Sequence, residues 1–131
     1  MKAEEYKKLV KKKRRITSRP EQALQIQCVQ WFRLQYPNIL IHHSPNGGKR
    51  SYVEAAIFKA MGTLAGWPDL FIAYKSNGFG GLFIEMKSKD GRPSKSQKDI
   101  GLLLFNSGYC YHTIDSFEDF MHAVKSYFFK Y

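Results

Sequence analysis

Two apolar runs separated by a Gly-rich stretch do most to limit what this chain can become. Leu70-Phe71-Ile72 and Leu82-Phe83-Ile84 flank Asn77-Gly78-Phe79-Gly80-Gly81, the composition of a β-hairpin. Gly66 permits a turn ahead of the first strand. Pro68 suits a strand's opening position, where no ladder donor is needed. Asp69 is thereby set at the strand mouth. Side chains alternate along a strand, so Glu85 and Lys87 share one face, ~7 Å apart, while Leu82, Ile84 and Met86 share the other. A charged pair thus breaks into a buried segment. Buried charge needs compensation, from a metal ion, a counter-charge or a bound ligand.

Asp69 and Glu85 offer hard oxygen ligands, of which Mg²⁺ takes one or two before completing its octahedron with waters and phosphate oxygens. Such an ion acidifies a bound water and neutralises charge at a phosphodiester. Lys87 is suited to hold the attacking water and to stabilise developing negative charge. The same residues also describe an ion pair on a solvated sheet face, with Asp69 as a turn residue, because Pro-Asp and Glu-x-Lys are each common.

Order and surroundings say more than any one piece. Gly66-Trp67-Pro68-Asp69, then Ile84-Glu85-Met86-Lys87-Ser88-Lys89, then Gly91-Arg92-Pro93-Ser94-Lys95-Ser96-Gln97 follow one another, with Glu21 in the first helix. This series resembles the PD-(D/E)xK nuclease superfamily, and within it the VRR-NUC branch of virus-type replication-repair nucleases, over Pro20 to Phe120. The resemblance implies a restriction-endonuclease-like α/β core, a central mixed β-sheet flanked by α-helices. It implies a Mg²⁺- or Mn²⁺-dependent endodeoxyribonuclease, leaving 5′-phosphate and 3′-hydroxyl ends. Asp69 and Glu85 are then metal ligands, with the Met86 carbonyl as a third and Glu21 reaching the ion directly or through water. Lys87 and Gln97 complete the catalytic set. Stand-alone members of this family resemble junction resolvases and act as dimers, so a four-way or other branched DNA is the expected substrate and a homodimer the expected state. No organic cofactor is expected.

A chain of 131 residues makes one domain. Its net charge of +10 and pI of about 9.7 point to an acidic polymer as partner. The first twenty residues hold nine of the 21 cations against two acids, a net of +7, which leaves +3 for the rest. Residues 1–17 are therefore read as a basic arm and 18–131 as the domain. Lys11, Lys12, Lys13, Arg14 and Arg15 either form a solvated tail or grip phosphates, as a short helix through Tyr6, Leu9 and Val10. No leader peptide and no membrane-spanning run is visible. The two cysteines, Cys28 and Cys110, form no zinc or disulfide pattern. A reducing cytoplasm is expected, the host's if the chain is virus-encoded.

Helical spacing of Leu24, Cys28 and Phe32 predicts a first helix from Ser18 or Arg19 to Gln35. Glu21 lies in line with that stripe, and it also completes a Ser18-Arg19-Pro20-Glu21 capping box, two roles that exclude each other. Asn38 to His42 reads as a strand. His42 and His43 diverge in it, which makes them structural or phosphate contacts rather than joint metal ligands. Lys49 and Arg50 then lie in a Gly-rich loop suited to a DNA backbone or to a plain turn. Tyr52 to Met61 reads as a helix stopped by Gly62. Lys89, Arg92 and Lys95 follow Lys87 closely and join the expected nucleic-acid contacts. Ser94-Lys95-Ser96-Gln97 opens a helix to Gly108, in which Gln97 is either a capping residue or a site residue. Tyr109 to Ile114 makes another strand, and Ser116 caps a last helix. Ten Phe and eight Tyr exceed what one small core holds, which suggests a dimer surface.

The competing class is a non-catalytic nucleic-acid-binding module with structural carboxylates. A restriction-type, sequence-specific nuclease is a further alternative, though little of the chain is left over to read bases. Metal titration with a cleavage assay separates the first of these from an enzyme.

Overall fold

The computed structural model describes residues 2–5, 7–8, 19–45 and 50–130. The basic run Lys11, Lys12, Lys13, Arg14 and Arg15, the helix expected through Tyr6, Leu9 and Val10, and Lys49 of the Gly-rich loop lie outside the described residues.

Helix α1 spans Pro20–Gln35. Its N-cap is Arg19, with no side-chain cap bond and proline in the opening turn. This corrects the expected capping box. Proline lacks an N–H and is pre-set for the first helical position, so the helix begins one residue later than a Ser18 cap requires. Strand β1 is Ile41–His43 rather than Asn38 to His42. Its start is set by its partner, because Ile41 pairs with Ile72 at the last residue of β2 (Leu70–Ile72).

Helix α2, Tyr52–Ala60, is capped by Ser51, whose hydroxyl accepts from Glu54 N, and it stops before Gly62 at φ +110°. Strand β2 runs antiparallel to β3 (Leu82–Met86). Between them Ser76 and Phe79 bond each other across Asn77 (φ 50°) and Gly78 (φ 84°), the left-handed pair of a type I′ turn. Helix α3, Lys95–Asn106, carries the chain over to β4, Cys110–Ile114, which lies parallel to β3. Helix α4, Phe117–Phe128, follows, capped by Ser116. The sheet order is β1-β2-β3-β4, a mixed four-stranded α/β arrangement.

Alternation decides what each sheet face buries. Leu70, Ile72, Leu82, Ile84, Met86 and Ile114 join Cys28, Trp31 and Phe32 of α1 and Phe120, Ala123, Val124 and Tyr127 of α4 in one core. On the opposite face Phe71 stacks on Phe83 at 4.4 Å, and the Tyr111 ring presses against Gly101 of α3. Most aromatics are absorbed by these layers, as in the edge-on packing of Trp31 on Phe117 and Phe120. The hairpin tip is tied down as well. Asn77 Nδ2 donates to the Tyr127 carbonyl at 3.2 Å, and the Ser76 hydroxyl donates to the same oxygen. No helix among the described residues is long and apolar enough to cross a membrane.

Candidate active site

Asp69 is placed by the turn before it. Gly66 has φ +83°, and a Cβ there would stand 2.6 Å from the Ser96 carbonyl carbon and 2.8 Å from Gln97 N. Only glycine lets this turn rest against the first turn of α3. Trp67 meets Phe83 edge-on at 5.4 Å, and Pro68 is fully buried. The Asp69 carbonyl then accepts from Ser44 N at 2.9 Å, closing the β1–β2 ladder. Its carboxylate crosses to the next strand, where Oδ2 accepts the Met86 N–H at 2.7 Å. An ionised acceptor makes this a short, strong bond that fixes the carboxylate against β3.

Glu85 is 2 % exposed. Its Oε1 accepts from Gln97 Nε2 at 3.0 Å, while Oε2 is buried and receives no N–H or hydroxyl donor. Burial comes first among the causes that push its carboxyl up to about 9, followed by the negative charge and hydrogen bonding of Asp69. Glu21 adds to the rise and Lys87 works against it. Two carboxylates facing one another in a dry setting favour a proton or a cation between them.

Gln97 does what the sequence posed as alternatives. Its Oε1 accepts from Ser94 N at 2.8 Å, its own N–H meets Ser94 Oγ at 3.2 Å, and Nε2 remains for Glu85. One amide thus completes the α3 capping box and holds a buried carboxylate. Glu21 sits in the first turn of α1, and the Ser18 half of its expected capping box lies outside the described residues. It lines an open cleft of about 740 Å³ together with Arg19, Gln25, His43, Asp69 and Ser88.

Lys87 is half-buried just past β3, its N–H bonded to the Ile114 carbonyl at 2.8 Å. The Met86 side chain is in the core. Lys89, Arg92 and Lys95 are exposed on the loop and first helical residue that follow. Arg50 is exposed but engaged, with its guanidinium 4.1 Å above the Phe58 ring and Nη2 donating to the Pro45 carbonyl at 3.4 Å. Asp69, Glu85, Lys87, Glu21 and Gln97 therefore converge on one region, and Arg50 lies on a separate hollow with Phe58.

Two neighbours of the site were not anticipated in these positions. His43 Nδ1 lies 2.9 Å from the Asp69 carbonyl, and since a carbonyl only accepts, that nitrogen carries the proton. Gln25 Nε2, 3.0 Å from the same nitrogen, occupies a place that suits the amide oxygen instead. The Tyr111 hydroxyl is buried, and burial and then the Glu85 charge push it above the ordinary phenol range, with a Thr113 hydrogen bond working against the rise. Neither pattern is local: His43 arrives through its pairing with Leu70, and Tyr111 through β3–β4 pairing.

The donor set suits a hard divalent ion. Among the described residues no group of three or more His, Cys, Asp or Glu side chains is placed to hold a metal, which leaves the Asp69 and Glu85 pair, without a third direct side-chain ligand of these types. These two carboxylates, one of them buried, fit Mg²⁺ or Mn²⁺, which draw their remaining ligands from water and substrate.

No family sequence model matches the chain, and no curated protein sequence matches it. Among solved structures it is similar to one described as a VRR_NUC domain protein. The two share 28% identity and superpose with a TM-score of 0.69 over 85% of this chain and 89% of that one.

Proposed function

With the chain taken as a VRR-NUC domain, we propose that it is a Mg²⁺- or Mn²⁺-dependent DNA endonuclease. The observation that supports this most is the meeting of Asp69 with Glu85, a carboxyl buried to 2 % exposure beside a second acid. Asp69, Glu85 and the Met86 carbonyl hold the ion, with Glu21 reaching it directly or through water. The ion, when bound, supplies positive charge at the scissile phosphate and acidifies a water.

The protein's own groups orient the rest. Met86 N–H and Gln97 Nε2 keep the two carboxylates from swinging away. Lys87 holds the attacking water and faces the charge that builds on the phosphoryl oxygens. The attacking water gives one proton to solvent as its oxygen bonds to phosphorus, the P–O3′ bond breaks, and the 3′-oxygen takes a proton from solvent, giving 5′-phosphate and 3′-hydroxyl ends. No side chain need form a covalent intermediate.

Lys89, Arg92 and Lys95 lie on the loop and helix start beside the site and offer backbone contacts that carry no base preference. Lys49, Arg50 and the basic arm at Lys11, Lys12, Lys13, Arg14 and Arg15 extend that footprint. The substrate in this reading is a four-way or other branched DNA, cut by a homodimer whose two sites act on two strands. The test is a cleavage panel of single strand, duplex, flap, splayed arm and four-way junction, each with Mg²⁺, Mn²⁺ or chelator. Metal-dependent cutting favouring the junction is expected. Binding with no cutting under any metal would leave a nucleic-acid-binding module instead.

A further inference from the structure

Two adjoining hollows of about 500 and 640 Å³ lie between α2 and the turn that carries Trp67. Arg50, Phe58 and Thr63 line both, and Trp67 lines the first together with Ser44 and Pro45. Each falls within the roughly 300–1,000 Å³ of sites that take a small organic molecule. The Arg50 guanidinium lies 4.1 Å above the Phe58 ring, and its Nη2 donates to the Pro45 carbonyl at 3.4 Å. A guanidinium seated on one ring in this way offers its opposite face to a second flat ring, and nucleobases stack on such planes. Phe58 stays 38% exposed and Trp67 is half-buried. The hydroxyls of Ser44 and Thr63 can each donate or accept, so they place no condition on which base edge meets them. Aromatic rings, a stacked cation and adaptable hydroxyls are the chemistry of a platform for a base of any kind.

The position of the hollow says which base would use it. Pro45 lines the first hollow and also the cleft that holds Glu21, His43 and Asp69. Its neighbour Ser44 donates its N–H to the Asp69 carbonyl at 2.9 Å. The two spaces therefore meet beside the residue that anchors the acid pair. A chain of net charge +10 draws a polyanion to this surface, and Arg50 adds a cation where the hollow opens.

We propose that the hollow of Arg50, Phe58 and Trp67 receives one unpaired nucleobase of the DNA strand whose phosphate lies in the cleft. A base inside a duplex has both faces covered by its neighbours. Extracting it costs stacking and pairing, and that cost is least for a base already single-stranded. The hollow thus selects a strand with an unpaired nucleotide beside the scissile phosphate, as at a branch. The proposal rests on the nuclease reading for the phosphate in the cleft, and it supplies that reading's branched substrate with a recognition site.

The test is binding by fluorescence anisotropy with chelator present, so that no strand is cut. The probe is a splayed arm in which the first few unpaired nucleotides of either arm are replaced, one at a time, by an abasic nucleotide. At one of these positions, loss of the base is expected to weaken wild-type binding roughly 5- to 100-fold, the range of one stacked base. Phe58→Leu, which keeps apolar packing and removes the ring, and Arg50→Gln should bind the intact arm more weakly and lose little more at that position, with unchanged circular dichroism. Wild-type binding indifferent to every abasic position overturns the proposal. So does an abasic loss of the same size in wild type and in both variants. Cleavage without an abasic effect leaves the nuclease reading standing and removes this site, whereas an abasic effect without cleavage keeps the site on a binding module.

Discussion

Gln97 and Glu85 are joined by a 3.0 Å hydrogen bond whose donor is the same amide that closes the α3 capping box on Ser94. Helix initiation and carboxylate placement are therefore one event. Gln97→Ala is expected to weaken divalent-cation affinity by roughly 10- to 100-fold, as for other residues that orient a metal ligand. Ser94→Ala should cost about 1 kcal/mol of stability as a lost cap and leave cation affinity much closer to wild type. Calorimetric Mn²⁺ titration beside thermal melts checks the split, and equal losses of affinity in both variants would count against the carboxylate role.

Asp69 and Lys87 carry the chemistry in the proposed mechanism. Asp69→Asn and Lys87→Ala are each expected to reduce cleavage at least ~100-fold, the scale of a lost transition-state contact. Salt-sensitive DNA binding should remain, because the cations that supply it are elsewhere. Gel cleavage and fluorescence anisotropy read the two separately. Variants that cut like wild type would refute the assignment.

Glu85 should impose a pH dependence on the metal-free protein. Burial and the neighbouring Asp69 push its carboxyl up to about 9 when folded, against an ordinary value of 4.5. Between those values the folded state holds a proton the unfolded state has lost, so stability is full below about pH 4.5 and falls as pH rises toward 9. The difference in melting temperature between wild type and Glu85→Gln isolates this contribution and should shift against wild type from pH 6 to pH 8.5. Mg²⁺ or Mn²⁺ should raise the wild-type melting temperature more at the higher pH, where displacing the Glu85 proton costs less. A pH-independent difference would sink the argument.

Gly66 tests whether the close contact between the Asp69 turn and α3 matters. Gly66→Ala meets both a positive φ and backbone atoms at 2.6 Å, for an expected loss of roughly 2–4 kcal/mol. Gly62, at φ +110° with nothing within 4 Å of a new Cβ, makes the control, and Gly62→Ala should cost only about 1 kcal/mol. Urea denaturation of the pair gives the comparison, and equal losses would mean that the turn and helix part easily.

Much of the fold was legible because its signals are local. Alternation and Gly-rich spacing marked the hairpin, a Ser-x-x-Gln pattern marked the start of α3, and Ser116 marked α4. The errors were also local in origin. Pro20 took the first helical position and moved the cap of α1 to Arg19, and β1 began where Ile72 could pair rather than where the apolar run began. The surplus of aromatics was a poor guide to exposure, since most of them pack. Tyr52, Phe105 and Phe129 stay exposed, and so do aliphatic side chains such as Val53, Met61, Leu102 and Leu103, which no count of Phe and Tyr would single out.

Sequence alone determined which residues are candidates for chemistry and that Glu85 and Lys87 share a face, because strand periodicity is a property of the backbone. Whether Asp69 reaches Glu85, whether Gln97 can cap and clamp at once, and how high the Glu85 carboxyl titrates were decided only by the assembled sheet. These depend on distances between β2, β3 and α3 and on water being excluded from between them, and no stretch of chain carries either quantity by itself.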